Sequence, residues 1–428
     1  MNTEINYNSG NPDTLPAQRR FHIMAKPGGS TCNIDCQYCF YLDKGVLPDG
    51  PGSGRMSDEV LENFIRQYIE GVTANEIVFS WQGGEPTMLG LSYFKKIVEL
   101  ERKYARHGQN INNDLQTNGI LLDDDWCKFL KENNWLVGIS IDGPRDIHNA
   151  YRVTKNGKPT FDLVMNGIKL LKKYRVPFNT LTCVNRLNAK RPLDVYRFLR
   201  REVQSTYIQF IPIVEYKGFE TTAPYSWDFS KLPIDGSPES KPGHPDSIVE
   251  DWSVDPDDYG YFLSKVFDEW LNRDVGRVLV NHIETLVAQH LGLPSQVCIY
   301  SEFCGKGLAV ENEGSVYSCD HFVYPEYKQG NVKENNLTEM VFSPVQNKFG
   351  YDKSDKLPEY CKKCEYLTDC YGECPKNRIL RTPDGEPGLN YLCRGLKKYF
   401  KHALPEVDKI VAGLKQNGIN PEGKMRGR

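Results

Sequence analysis

The sequence lacks a strong charge of either sign: its 428 residues include 53 Lys and Arg against 56 Asp and Glu, a formal net charge of −3 at pH 7. So small a net charge gives no electrostatic reason to bind nucleic acid or an anionic membrane. The sequence also lacks an apolar stretch long enough to span a bilayer. Its first residues do not show the basic-then-apolar layout of a signal peptide. We therefore expect a cytoplasmic protein with neither a nucleic-acid nor a membrane partner.

The remaining composition, 39% hydrophobic and 25% charged, is that of an ordinary soluble globular protein. The length predicts two domains, or one large barrel with an appendage. The unusual feature is 13 cysteines in a chain without an export signal, where disulfides are not expected. Eight of them lie between Cys298 and Cys393, in a segment of weak hydrophobic periodicity. Metal clusters are the favoured way to stabilise such a loop-rich region.

Strand-like and helix-like patterns alternate through the first half of the chain, which predicts repeated βα units and a parallel sheet. Five apolar runs predict buried strands, at residues 21–24, 77–79, 136–141, 178–184 and 207–213. A more polar run, 111–116, is a weaker candidate. Six units are too few for a complete eight-fold barrel. We therefore expect a partial (β/α)6 TIM-like barrel that admits a large substrate at the C-terminal ends of its strands.

Amphipathic stretches between these runs predict helices. Ser57 is the expected N-cap of a helix that places an apolar face on one side; its members are Val60, Leu61, Phe64, Ile65, Tyr68 and Ile69. Further helices are predicted near residues 93–104, 124–133, 161–174, 192–200, 259–271, 282–291 and 396–414.

We predict five parts in the chain. They are a barrel (16–213), a turn-rich insertion (214–258), a bridging helical segment (259–292), a cysteine-rich domain (293–400) and a C-terminal helix and tail (401–428). Within the insertion, the Pro- and Gly-rich stretch 232–245 predicts an exposed loop or linker.

The most informative pattern is Cys32-x₃-Cys36-x₂-Cys39, which follows the first predicted strand. Three thiolates this close can converge on one metal centre, but a closed structural site needs four ligands. A cubane cluster held by three cysteines leaves one iron without a protein ligand, and a small molecule can bind there. A fragment of a zinc site is the alternative, and the position after a strand favours the cluster.

A second pattern, Gly83-Gly84-Glu85-Pro86, follows the second predicted strand. Glycines at a strand end allow the backbone to approach a ligand closely. The alternative is a tight βα turn with a capping acid. Asp142, which ends another predicted strand in Asp-Gly-Pro, has a turn as its simplest interpretation.

Together with the aromatic pair Phe40-Tyr41, these patterns resemble the radical S-adenosylmethionine (SAM) enzymes. The resemblance implies that the three cysteines hold a [4Fe-4S] cluster and that the Gly-Gly-Glu-Pro motif binds the methionyl ammonium group of SAM. It also implies ribose and carboxylate contacts from the matching serine and arginine, and an adenine contact from the tyrosine. The residues implied to contact SAM are Tyr41, Gln82, Gly83, Gly84, Glu85, Pro86, Ser140 and Arg152.

The eight C-terminal cysteines are enough for two complete four-ligand clusters, although a pair such as Cys361/Cys364 also suits tetrahedral zinc. The segment resembles the twin-cluster SPASM extension of peptide-modifying radical SAM enzymes, and only this resemblance implies how the ligands pair. The first auxiliary set would be Cys298, Cys304, Cys319 and Cys374. The second auxiliary set would be Cys361, Cys364, Cys370 and Cys393. The two remaining cysteines, Cys127 and Cys183, are expected to be buried core thiols.

Five segments narrow the resemblance to the anaerobic sulfatase-maturating enzymes: 82–90, 115–119, 137–144, 314–320 and 389–393. The family resemblance, which runs from about residue 21 to about residue 405, implies oxidation of a sulfatase cysteine or serine to formylglycine. It implies SAM and three [4Fe-4S] clusters as cofactors. It further implies an unfolded or nascent sulfatase with a Cys/Ser-x-Pro/Ala-x-Arg motif, and a low-potential electron donor such as flavodoxin or ferredoxin.

The same resemblance makes Asp320, next to Cys319, the catalytic base that takes the substrate proton. His321 is an alternative base, and an exposed turn aspartate is the simplest structural interpretation. A SPASM enzyme that cross-links or epimerises a ribosomally made peptide is the alternative function. A non-enzymatic iron–sulfur or zinc protein is the alternative from another class, and it would have no use for Gly83–Pro86 or an open coordination site.

Overall fold

A ten-stranded, mostly parallel sheet organises the chain in the computed structural model, which describes residues 19–42, 47, 52, 54–295 and 297–418. The strands are β1 His22–Lys26, β2 Ile34–Cys36, β3 Glu76–Trp81, β4 Asn110–Thr117, β5 Leu136–Ser140, β6 Arg152–Thr154, β7 Phe178–Val184, β8 Tyr207–Pro212, β9 Leu279–Val280, β10 Gly307–Glu311, β11 Ser315–Tyr317, β12 Lys328–Asn331, β13 Leu380–Arg381 and β14 Pro387–Leu389. The helices are α1 Asp58–Gly71, α2 Leu91–Tyr104, α3 Asp124–Glu132, α4 Arg145–Tyr151, α5 Phe161–Tyr174, α6 Pro192–Phe198, α7 Pro256–Arg273, α8 Asn281–His290, α9 Leu337–Val341, α10 Pro344–Asp355, α11 Glu359–Lys362, α12 Leu367–Cys370 and α13 Cys393–Gln416.

The partial barrel is confirmed. All six predicted strands are present and lie parallel in the order β1-β3-β4-β5-β7-β8. The polar run that was the weaker candidate is β4, and two of its polar side chains accept hydrogen bonds from side chains of the adjacent strand β3. Trp81 Nε1 donates to Asn113 Oδ1 at 2.7 Å, and Ser80 Oγ donates to Asp114 Oδ2 at 2.6 Å. These bonds explain how a polar sequence can form an interior strand.

The predicted helices are also present, with ends shifted by a few residues. The Ser57 side chain accepts a hydrogen bond from the Val60 amide at 3.2 Å and caps α1, whose six predicted apolar residues are all buried. The helix predicted at 192–200 leaves α-helical geometry after Phe198 and continues as a π-helical turn, Leu199–Val203. Sequence periodicity did not predict α4, α10 or the short helices α9, α11 and α12. Among the described residues, no helix is long and apolar enough to cross a membrane.

The cysteine-rich segment extends the barrel sheet, which the sequence analysis did not predict. Strand β10 pairs in parallel with β1, in register from His22↔Gly307 to Lys26↔Glu311. Strands β11 and β12 then add to β10 in antiparallel fashion. The segment thereby covers the edge that β1 would otherwise expose.

The stretch 232–245 is a loop, as predicted, but it is exposed only in part. Leu232 and Ser240 are buried, and the Asp235 amide donates to the Arg381 carbonyl at 3.0 Å. Nearby, Lys376 Nζ donates to Glu215 Oε1 at 2.9 Å. The insertion therefore packs on the cysteine-rich segment and is not a free linker.

A buried carboxyl group on α2 makes the stability of the fold depend on pH. Glu101 is 4% exposed, its Oε2 accepts from Asn113 Nδ2 at 2.9 Å, and burial raises its pKa from 4.5 to about 8. The folded protein thus keeps a proton that the unfolded chain loses above pH 4.5. The Glu101 contribution to the free energy of unfolding is therefore lost as pH rises toward about 8, by up to about 1.4 kcal/mol per pH unit.

Glu101→Gln cannot titrate and should escape this loss. We expect the difference in free energy of unfolding between variant and wild type to move in favour of the variant between about pH 5 and pH 8. Denaturant unfolding of both proteins across this range measures the difference. Glu99→Gln, which alters an exposed carboxyl on the same helix, is the matched control. A flat difference for Glu101→Gln would show that the carboxyl is ionised in the folded protein.

Candidate active site

The three cysteines of the first pattern lie on a loop, residues 27–39, that leaves the C-terminal end of β1. Part of this cysteine loop is β2, which pairs antiparallel with β6 and sets Cys36 opposite Arg152. Cys32 is buried, with the side-chain Nδ2 of Asn118 4.0 Å from its sulfur, and the Cys39 backbone amide donates to the Cys36 carbonyl at 2.9 Å. The pairing of β2 with β6, which is distant in sequence, therefore fixes the cysteine loop.

The environment of these thiols fits a metal cluster. Burial raises the pKa of Cys32 to about 11 and that of Cys36 further, although the Arg152 guanidinium acts to lower the latter. The thiols also interact electrostatically with one another. Without metal, Cys32 and Cys36 therefore hold their protons at neutral pH, so binding of a cluster would release protons from them.

The Gly-Gly-Glu-Pro motif packs directly on the cysteine loop. A Cβ atom at Gly84 would lie 2.1 Å from the Thr31 carbonyl oxygen, so only glycine fits there. The Glu85 carboxylate accepts hydrogen bonds from Thr117 Oγ1 at 2.7 Å and from the Asn118 and Thr87 amides at 2.7 and 3.0 Å. The carboxylate therefore caps the turn and ties it to β4. Binding of the SAM ammonium group by this motif stays a prediction, in which the backbone of Gly83 and Gly84 would do the binding.

The other predicted SAM contacts lie at or just after the C-terminal ends of the parallel strands, a side of the sheet here called the barrel mouth. Ser140 ends β5, and its Oγ accepts from Gln116 Nε2 at 2.9 Å. Gln82 follows β3, and its amide donates to the Ala25 carbonyl at 2.8 Å. Pro86 is buried at the start of the turn after the motif. Because the strands are parallel, these positions share the barrel mouth, and their roles toward SAM stay predictions.

Arg152 forms a buried ion pair with Asp142, which the sequence did not predict. Its Nε and Nη2 donate to the two carboxylate oxygens of Asp142 at 3.0 and 3.2 Å, and its Nη1 lies 3.8 Å from Cys36 Sγ. Asp142 is fully buried and also accepts from the Tyr38 hydroxyl, so it is more than a turn residue. The Cys183 residue is partly exposed, but burial raises the pKa of its thiol to about 12, and its sulfur lies 3.7 Å from Arg152 Nη2. Cys183 therefore borders the Arg152–Asp142 ion pair and not the apolar core in which Cys127 is fully buried.

Asp320 reaches the barrel mouth through a lysine that sequence reasoning also missed. Lys26 ends β1, is 2% exposed, and its ammonium group forms an ion pair with the Asp320 carboxylate. The same Nζ lies 3.9 Å from Glu311 Oε1 and 3.7 Å from the centre of the Tyr41 ring. The Tyr41 hydroxyl donates to Glu311, whose pKa burial raises to about 7. Asp320 is therefore not an isolated turn aspartate.

A charged residue at the end of a buried strand is the signal that could have found Lys26 and Glu311. The alternative base, His321, lies beside the residue that follows the cysteine loop: the centre of its ring is 4.9 Å from the centre of the Phe40 ring. The residues after Cys39 and those after Cys319 thus meet at the barrel mouth. Lys26 covers one side of the Tyr41 ring, so the predicted adenine contact would need the rest of that ring.

The structure brings the auxiliary cysteines together in the two sets that the resemblance implied. In the first auxiliary set, the thiols of Cys319 and Cys374 each interact electrostatically with those of Cys298 and Cys304. The second auxiliary set lines one cavity, together with Tyr366, Leu396 and Phe400. Burial raises the pKa of Cys304 to about 11 and that of Cys370 to about 12. Ligation by these thiols stays a prediction.

The spacing of the thiols bears on the zinc alternative. A tetrahedral zinc ion needs its ligand atoms within about 2.3 Å of one point. Within the part of the chain that the structure describes, no three Cys, His, Asp or Glu side chains form such a group. The four thiols of the second auxiliary set instead surround a cavity, an arrangement that suits a polynuclear cluster.

Two family models match the chain, one for the radical SAM superfamily at residues 27–199 and one for the SPASM iron–sulfur cluster-binding domain at residues 300–365. A serine-type anaerobic sulfatase-maturating enzyme of Bacteroides thetaiotaomicron is 46% identical over 92% of this chain and 92% of its own length. A cysteine-type anaerobic sulfatase-maturating enzyme of Clostridium novyi is 33% identical over 92% of this chain and 97% of its own.

Solved structures give the same result. Native anSMEcpe with bound AdoMet and Cp18Cys peptide has a TM-score of 0.78 at 32% identity and covers 92% of this chain and 100% of its own. Streptococcus suis SuiB bound to precursor peptide SuiA, with a TM-score of 0.54 at 13% identity over 86% of this chain and 75% of its own, is similar in fold alone. On this evidence the chain belongs to the anaerobic sulfatase-maturating enzymes, a family of radical SAM proteins with a SPASM iron–sulfur domain.

Proposed function

We propose that this protein oxidises a serine or cysteine of a sulfatase polypeptide to formylglycine. The observation that carries the proposal is the position of Asp320, which follows a predicted cluster ligand and forms an ion pair with Lys26 at the barrel mouth. Relatives that are 33% and 46% identical over nine tenths of the chain, named as cysteine- and serine-type sulfatase-maturating enzymes, support it.

Cys32, Cys36 and Cys39 would hold the SAM-binding cluster, and the two auxiliary sets would hold the other two clusters. When bound, SAM and the three clusters would supply a radical that removes the substrate β-hydrogen and would take up the second electron. The chain itself positions the substrate and moves one proton. Asp320 takes the hydroxyl or thiol proton as the side chain becomes an aldehyde or thioaldehyde. A thioaldehyde is then hydrolysed by water to the aldehyde, with release of hydrogen sulfide. Lys26, fixed at the end of β1, holds the Asp320 carboxylate toward the mouth.

The substrate would be an unfolded or nascent sulfatase segment with the motif Cys/Ser-x-Pro/Ala-x-Arg, supplied in the cytoplasm. Flavodoxin or ferredoxin would provide the low-potential electron. Serine is the target we favour, because the serine-type relative is 46% identical and the cysteine-type relative 33%. Peptide cross-linking or epimerisation is the rival, and the position of a base beside a cluster ligand favours oxidation.

Matched peptides test the proposal. Anaerobically reconstituted protein is incubated with SAM, a reductant and peptides that differ only in Ser, Cys or Ala at the motif position, and the products are read by mass spectrometry. We expect an aldehyde from the serine peptide, deoxyadenosine, and no aldehyde from the alanine control. Deoxyadenosine without any modified peptide would contradict sulfatase maturation and favour another peptide substrate. A larger yield from cysteine would contradict the serine preference alone.

Replacing Cys32, Cys36 or Cys39 by alanine should abolish SAM cleavage, because two thiolates cannot hold the open-site cluster. Deoxyadenosine formation measures this, and iron analysis should still find the metal of the auxiliary sets. Cys127→Ala, which changes a buried thiol outside all three sets, is the matched control and should keep cleavage. Normal SAM cleavage in a variant of the triad would refute the assignment.

Asp320→Asn should separate the two halves of the reaction. The variant should keep deoxyadenosine formation but slow aldehyde formation by on the order of 10²-fold, because the base acts only after hydrogen removal. The ratio of aldehyde to deoxyadenosine measures the effect. His321→Asn alters the alternative base and should leave this ratio unchanged. If the ratio falls in His321→Asn instead, the base is His321.

A further inference from the structure

A strained peptide segment joins the two auxiliary sets. Cys370 belongs to the second set and Cys374 to the first, and the three residues between them all have left-handed backbone conformations. The φ angles of Tyr371, Gly372 and Glu373 are +46°, +66° and +50°. Non-glycine residues in this region are strained and persist only where the surroundings hold them. We call residues 371–373 the bridge.

Two buried side chains hold the bridge. Asn390 Nδ2 donates to Glu373 Oε2 at 2.7 Å and to the Gly372 carbonyl at 3.3 Å. Arg378 Nε donates to the Gly372 carbonyl at 3.2 Å, and its Nη2 donates to the Tyr371 carbonyl at 3.1 Å. Gly372 also lines the cavity of the second set. The guanidinium therefore lies against the segment that connects one cluster site to the other.

Arg378 is a buried cation whose hydrogen bonds go to neutral groups. Its side chain is 1% exposed, and within the described residues Nη1 has no hydrogen-bond partner. It acts electrostatically on Cys304 of the first set and on Cys361 of the second. A buried charge needs compensation. Four thiolates around a [4Fe-4S] core of charge 2+ carry a net charge of −2, and two such sites would supply it.

A second buried cation lies beside the first set. Lys353 on α10 is fully buried, and its Nζ donates to the carbonyls of Cys298 at 2.7 Å, of Ile299 at 2.9 Å and of Ser301. The opposing charge is Glu373, which is 2% exposed and precedes Cys374 directly. Its Oε2 also accepts from Asn377 Nδ2 at 3.0 Å. Lys397 lines the cavity of the second set, and its Nζ donates to the Tyr360 hydroxyl at 2.9 Å.

We propose that the charge of the buried Arg378 side chain raises the reduction potentials of both auxiliary clusters. Lys353 also raises the potential of the first cluster, and Glu373 acts in the opposite direction by lowering the potentials. This rests on the proposed ligand sets. Reduction adds one electron to a cluster and changes its net charge from −2 to −3, with no proton or bond transferred. A buried cation between the two sites stabilises the added charge on either of them, and a buried anion destabilises it.

The test isolates the auxiliary clusters. The full chain with Cys32, Cys36 and Cys39 replaced by alanine is reconstituted, so that only the auxiliary sets hold iron. Midpoint potentials are measured by redox titration followed by electron paramagnetic resonance. The three variants in this background are Arg378→Gln, Arg378→Lys and Glu373→Gln.

We expect Arg378→Gln to reduce the equilibrium constant for reduction of each auxiliary cluster at least tenfold, equivalent to a fall in midpoint potential of about 59 mV for one electron. Arg378→Lys, which keeps the charge, should restore most of this. Glu373→Gln should shift the potentials upward, which a general loosening of the bridge would not do. Unchanged potentials in Arg378→Gln and Glu373→Gln, with full iron content, would overturn the inference. If Arg378→Gln cannot hold its clusters, the sign of the Glu373→Gln shift decides: a rise supports the inference and no rise overturns it. Absence of auxiliary iron in the background protein itself would instead refute the ligand sets on which the proposed function rests.

Discussion

The parallel pairing of β10 with β1 is the contact on which the rest of the site depends. It joins the cysteine-rich segment to the barrel in one register, with Lys26 opposite Glu311 at the mouth. A slip by one residue would turn every side chain of β10 to the other face of the sheet. The ion pair of Lys26 with Asp320, which lies just after β11, would then be lost. One strand pair therefore sets the distance between the cysteine loop and the proposed base.

Buried cations recur at each of the three predicted cluster sites. Arg152 lies beside Cys36, Lys26 lies at the mouth under the Tyr41 ring, and Arg378 lies between the auxiliary sets. Protein interiors exclude unpaired charge, so cations held in this way indicate where negative charge resides. Two of them are paired with aspartates, whereas Arg378 is bonded to backbone carbonyls. Its compensation must therefore come from the thiolate clusters or from Glu373.

The sequence was sufficient for features that are local. Apolar runs predicted five of the barrel strands, a more polar run predicted the sixth, helical periodicity predicted α1, and cysteine spacing predicted the cluster loop. It was insufficient where the cause lies far away along the chain. Lys26 and Asp320 are distant in sequence and meet only because β10 adds to β1. The pairing of β2 with β6, which commits Arg152 to Asp142, is equally non-local. The helices α9, α11 and α12 are too short to show periodicity, and the buried residues of α10 are Gln346, Gly350 and Lys353, which form no apolar face.

The ion pair with Lys26 also bears on how Asp320 can act as a base. The ammonium group holds a carboxylate at the mouth, and a carboxylate is too weak a base to remove a proton from an ordinary alcohol. Once the neighbouring carbon has lost a hydrogen atom and is about to lose an electron, however, the hydroxyl proton becomes strongly acidic, and a carboxylate suffices. Such a base discriminates against premature deprotonation, and this supports oxidation to an aldehyde as the reaction at the mouth.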